Sequence, residues 1–130
     1  MNVGEVYFVL YGSDFDPSAA KGTIPIDRAV AIPKGDPIPK YSSWRLSTGK
    51  IEHDFVDVYE MASSLVAELR PHSEDITQAK ERFGLKAVLQ VVLTISTAED
   101  HSTPAIGFDA AVLEFVHAVG ATIDVDTYLG

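Results

Sequence analysis

The chain contains no cysteine. That excludes a disulfide framework, a zinc–thiolate site, an iron–sulfur cluster and a cysteine nucleophile. No apolar run approaches the ~18 residues that a membrane span needs. The opening residues, Met1-Asn2-Val3-Gly4-Glu5, lack the basic start of a signal peptide. Basic side chains are few: ten Lys and Arg stand against nineteen Asp and Glu, a formal net charge of −9. An acidic field repels phosphate backbones, so neither nucleic acid nor a membrane is expected as a partner, and a basic protein is. The glycines form neither a phosphate loop nor a dinucleotide fingerprint, and no serine stands in Gly-x-Ser-x-Gly. His53, His72, His101 and His117 include no pair at helical i, i+4 spacing. No cofactor and no catalytic residue is therefore expected.

What is present suits one globular domain spanning residues 1–130. The composition is 46% hydrophobic, and a chain of this length buries roughly two-thirds of its unfolded surface. The charge is uneven. Residues 1–52 balance six acids with six bases, whereas residues 53–130 carry thirteen acids and four bases.

Two periodicities dominate. Val6, Phe8 and Leu10 alternate with Glu5, Tyr7, Val9 and Tyr11, predicting a strand over 3–11. Leu85, Ala87, Leu89, Val91, Leu93 and Ile95 predict a second, central strand over 85–96. Its other face is half apolar. Asp16-Pro17 predicts the start of a short helix. Pro25, Pro33, Pro37 and Pro39 leave room for only short strands at 28–32 and 43–47, with a break at Ser47-Thr48-Gly49-Lys50. Val58, Met61, Ala62, Leu65 and Leu69 share one helical face over 55–69. Ser73 is expected to cap a second helix ending at Gly84, and Asp109 a third ending at Gly120. A last strand follows at 121–128. The order predicts an α+β two-layer sandwich: about five strands in one mixed sheet, helices on one face, in a ferredoxin-like topology.

Three constellations carry candidate binding residues. Asp57, Glu60 and Glu68 line the polar face of the 55–69 helix. Trp44 and Arg45, with Tyr41 nearby, combine the residue types that dominate interface hot spots. The alternative for Trp44 is a core position. Asp124 and Asp126 share a strand face with Tyr128, and carboxylates ~7 Å apart can share a small ligand or a cation. Asp14 is expected at an adjoining end. The alternative there is a solvated sheet face.

Several runs resemble one family. They are Tyr11-Gly12-Ser13-Asp14-Phe15-Asp16-Pro17, Lys34-Gly35-Asp36-Pro37, Ser43-Trp44-Arg45-Leu46, Ile106-Gly107-Phe108-Asp109 and the closing Gly120-Ala121-Thr122-Ile123-Asp124-Val125-Asp126-Thr127-Tyr128. In order and spacing they resemble the bacterial family of domain of unknown function 4279. The resemblance implies a single-domain, cytoplasmic bacterial protein and an immunity-type role, and it implies no catalytic residue. Together the readings favour a non-enzymatic protein-binding module. The alternatives are a small-ligand or metal-binding protein or enzyme using Asp124, Asp126 and Tyr128, and a homodimer joined through an edge strand from the 28–47 region.

Overall fold

The computed structural model describes every residue except His101, which lies outside the described residues. The elements are β1 (Asn2–Gly12), α1 (Pro17–Thr23), β2 (Val30–Ile32), β3 (Ser42–Ser47), β4 (Ile51–His53), α2 (Val58–Leu69), α3 (Ser73–Phe83), β5 (Lys86–Ile95), α4 (Ala110–Ala118) and β6 (Thr122–Leu129). A single 3₁₀ turn, Arg70–His72, joins α2 to α3.

The six strands form one mixed sheet in the order β2-β3-β1-β5-β6, with β4 also pairing with β1. The helices lie on one side, so the expected two-layer sandwich is what the chain forms. β1 is central in that order, and its side chains alternate between buried ones on the helix face and mostly half-buried ones on the other. It pairs antiparallel with β3 and with β5. The strands at 30–32 and 42–47 pair with each other. The ferredoxin-like order is corrected. That arrangement interleaves two β–α–β units, whereas here β5, α4 and β6 form one direct crossover at the sheet edge. The parallel β5–β6 pair results from it.

The apolar periodicities fill the space between the layers. Val6, Phe8, Leu10, Trp44, Leu46, Leu89, Val91 and Leu93 face the helices. Val58, Met61, Ala62, Leu65, Leu69, Val112, Phe115 and Val116 face the sheet. Phe8 sits between Trp44 and Phe115, with ring centroids 6.5 and 5.4 Å away, both edge-on. Asp16 caps α1 by accepting from Ser18 N, and Asp109 caps α4 by accepting from Val112 N. Gly84 ends α3 at φ 64°, in the left-handed region where a side chain is strained. Ser73 is a correction. It is the first residue of α3 rather than its cap, because the 3₁₀ turn carries the chain straight into the helix. Its hydroxyl donates to Arg70 O.

The break at 47–50 is a β-bulge. Tyr7 pairs with Ser47, but Gly4 pairs with Ile51, so two residues of β1 face three of the 47–51 segment. Gly49 takes φ 78°, and the Thr48 hydroxyl accepts from Val6 N at 3.1 Å. An extra residue inverts the side-chain alternation beyond it. Ser47 shares the helix-free face with Tyr7. Ile51 lands opposite Gly4 on the helix face.

Candidate functional site

The inverted alternation creates a groove of about 630 Å³ beside α2. Ile51 and His53 form one wall, Phe55 and Val56 the end, and Asp57, Glu60, Ser64 and Glu68 of α2 the other wall. Ile51 and Phe55 are 41% and 50% exposed, so the groove offers apolar surface to solvent. Phe55 N donates to His53 Nδ1 at 3.0 Å, tightening the turn that presents the ring.

Two links hold that turn. Asn2, fully buried at the start of β1, donates from Nδ2 to Asp54 O at 3.0 Å and to Ser102 O, and accepts at Oδ1 from Ser96 N at 2.8 Å. One side chain thus ties together the β4–α2 turn, the end of β5 and the loop after it. Ala105 N then donates to Val56 O at 3.0 Å, and Val58 N donates to Ala105 O at 2.9 Å. The second bond satisfies an amide at the start of α2 that no helical carbonyl can reach.

The three acids of α2 differ in state. The Asp57 carboxylate caps the helix by accepting from Glu60 N at 3.3 Å. Glu68 pairs with Arg28 through two guanidinium nitrogens, Nε to Oε1 at 2.8 Å and NH2 to Oε2 at 2.6 Å. That bond raises the Arg28 pKa. Arg28 also donates to Ser47 O at 2.6 Å. Glu60 has no partner among the described residues, so it presents the groove's unpaired negative charge.

The opposite, helix-free face of the sheet carries a different chemistry. Arg45 lies 4.1 Å over the Tyr7 ring, and Tyr41 packs 5.2 Å from Tyr11. Burial raises the Tyr7 pKa. Arg45 opposes that shift, and Glu5, Asp126 and Asp124 add to it. Gln90 and Val9 are nearly buried in the middle of this face.

A family model described as domain of unknown function, DUF4279, matches residues 1–130. The chain belongs to the DUF4279 family. No curated protein and no solved structure matches it.

In this DUF4279 protein the sequence-derived candidates separate. Asp57, Glu60 and Glu68 line one groove together. Trp44 and Arg45 part company, because successive strand residues face opposite ways. Trp44 is fully buried in the core and presents no surface. Its Nε1 has no hydrogen-bond partner among the described residues. Arg45 reaches the helix-free face beside Tyr7. Asp124, Asp126 and Tyr128 stand on that face too, opposite Gln90, Val92 and Thr94 of β5. No group of three or more His, Asp or Glu side chains among the described residues is placed to hold a metal ion. Asp14 is corrected. It follows the end of β1 beyond Tyr11, whereas Asp126 lies level with Glu5, six residues or ~20 Å along the strand. No helix among the described residues is long and apolar enough to cross a membrane.

The DUF4279 groove also includes residues that sequence reasoning passed over. Ile51 and Phe55 are apolar and fall outside the periodic stripe of α2, which was the available signal. Tyr7 and Tyr11 share one face of β1 by simple alternation. Their meeting with Arg45 and Tyr41 depends on the β1–β3 register.

Proposed function

We propose that the protein is a non-enzymatic binding module whose groove beside α2 takes a segment of a basic protein partner. The observation that supports this most is the pairing of the unpartnered Glu60 carboxylate with half-exposed Phe55 and Ile51. Such a surface suits a partner that offers a lysine or arginine next to an apolar side chain. Aromatic anchors rimmed by charge are the usual form of an interface hot spot. Charge at the rim then sets association rate and salt sensitivity. An immunity-type role, in which the partner is a toxin, is the specific form that the family resemblance favours.

The test uses a photo-crosslinking amino acid at position 55 in cells of the native host. A basic protein is expected to crosslink there, and the purified complex is expected to weaken as salt rises. E60K is expected to abolish the crosslink while leaving the thermal transition unchanged. Failure to crosslink, or a complex indifferent to both salt and E60K, refutes the proposal. A crosslinked species of twice the chain mass refutes the basic partner in favour of a second copy. A homodimer through the 28–47 edge has little to work with, because β2 supplies only three residues.

A further inference from the structure

The helix-free face holds a second groove, of about 600 Å³, separated from the first by the thickness of the sheet. Its floor is Val9 and Val88, which pair directly across β1 and β5. The amide of Gln90 lies beside them. One lip is Lys40, Tyr41 and Arg45; the other carries Asp124. The Tyr41 lip is anchored. Lys34 N donates to Ser42 Oγ at 2.9 Å, Lys34 Nζ donates to Ser13 O at 2.8 Å, and Gly35 N donates to Pro39 O at 2.8 Å. A Cβ at Gly35 would lie 1.9 Å from Ile38 O, so this turn accepts only glycine.

Among the described residues, the ion pairs are Arg28–Glu68 and His72–Asp75, and neither Lys40 nor Arg45 is in one. In a chain with nineteen acids, two cations that line one groove and form no ion pair among the described residues are not explained by folding. Stacking on Tyr7 pins the guanidinium, and Lys40 Nζ lies 5.4 Å from the Tyr41 ring centre. Arg45 Nε is sealed from water with no acceptor among the described residues. The outer nitrogens therefore carry the charge that a ligand would meet. Fixed orientation favours bidentate recognition of a carboxylate.

We propose that this groove binds a small organic anion with a planar apolar body, an aromatic carboxylate. The carboxylate lies on Arg45, and the ring lies over Val9 and Val88 beside Tyr11 and Tyr41. Asp124 at the far lip repels the anionic end and so sets the ligand's direction. The volume suits such a ligand, since small-molecule sites run to roughly 300–1,000 Å³. This site is independent of the protein-binding groove, and either can fail alone.

The experiment is an amide NMR titration of the intact protein with sodium benzoate up to about 20 mM, the affinity range of a fragment. Acetate supplies the charge without the body, and benzylammonium the body with the charge reversed. Benzoate is expected to give saturable shifts at Val9, Ser43, Arg45 and Val88. Acetate is expected to bind about tenfold more weakly or less, and benzylammonium not at all. R45Q is expected to weaken benzoate about tenfold or more, the loss of a charge-assisted hydrogen-bond pair. D124N is expected to tighten it, which a merely structural role for Arg45 does not foretell. The unshifted amides of R45Q report that the variant is folded. No shift with benzoate, shifts confined to the groove beside α2, equal binding by R45Q, or benzylammonium binding as well as benzoate would overturn the proposal.

Discussion

Replacing Asn2 by alanine tests how the groove beside α2 is held. The side chain makes three hydrogen bonds to backbone groups at Asp54, Ser96 and Ser102, and none of its surface is exposed. A typical intramolecular hydrogen bond contributes about 1 kcal/mol net, and a buried group left unpaired costs ~1–3 kcal/mol. Asn2→Ala strands the Ser96 amide and two carbonyls, of which Ser102 O lies near solvent and can recover a water. The expected loss is therefore about 2–4 kcal/mol. At the size of this chain, each kcal/mol shifts Tm by roughly 3–5 °C, so a drop of ~8–15 °C is expected. Urea denaturation followed by circular dichroism measures it. Asn2→Asp keeps the acceptor for Ser96 but turns a buried charge toward two carbonyls, and is expected to cost at least as much. Hydrogen exchange adds a local readout. The Ser96 and Ala105 amides lose protection in Asn2→Ala before the central amides of β5 do, since the stitch between turn and loop opens first. A loss under about 0.5 kcal/mol, with unchanged exchange at Ala105, refutes the account.

Gly4→Ala places a Cβ 2.6 Å from Val56 Cγ1 and 3.3 Å from Leu93 Cδ2 in the core, and overpacking of this kind is expected to cost about 1–3 kcal/mol in urea titration. Arg28→Ala removes a half-exposed ion pair and is expected to cost no more than about 1 kcal/mol, while leaving Glu68 free to steepen the salt dependence of partner binding. Tyr7 has a folded-state pKa raised above the unfolded value of 10.0, chiefly by burial, so the neutral phenol is the form the fold favours. That contribution is complete below about pH 10 and falls away as pH rises through the folded pKa. The urea midpoint of the wild type should decline above pH 10 more steeply than that of Tyr7→Phe, and parallel declines refute the assignment.

Much of the layer structure was legible because its causes are local. The apolar stripe of α2 and the alternation of β5 each name their buried face within a dozen residues. The Asp16 and Asp109 caps act over two or three positions. What escaped the sequence depends on distant partners. Arg28 and Glu68 are 40 residues apart, and Asn2 reaches residues 54, 96 and 102; no local pattern encodes either. Trp44 and Arg45 show the same divide. Strand alternation places them on opposite faces, but which face is core follows from pairing with β1, where Trp44 meets Leu10 and Arg45 meets Val9. The Asp124–Asp126 pair was legible as a shared face, yet its register brings Gln90 and Val92 beside it rather than a third ligand.

The bulge at Thr48–Lys50 shows how one residue decides where the candidate groove lies. Without the extra residue, Ile51 would pair with Val3 and turn to the helix-free face, beside Tyr7 and Arg45. His53 would follow it. The groove beside α2 would lose a wall, and its apolar end would stand as an isolated Phe55. With the residue present, Ile51 comes to lie opposite Gly4 on the helix face and lines the groove with Met61 and Val56. The absence of a side chain at Gly4 and the insertion at Gly49 thus shape the same end of the groove: the first lets Val56, Leu93 and Met61 close onto the sheet, and the second turns an apolar side chain to the helix face. A run that reads in the sequence as the end of a strand is, in the fold, the point where the strand changes the face it serves.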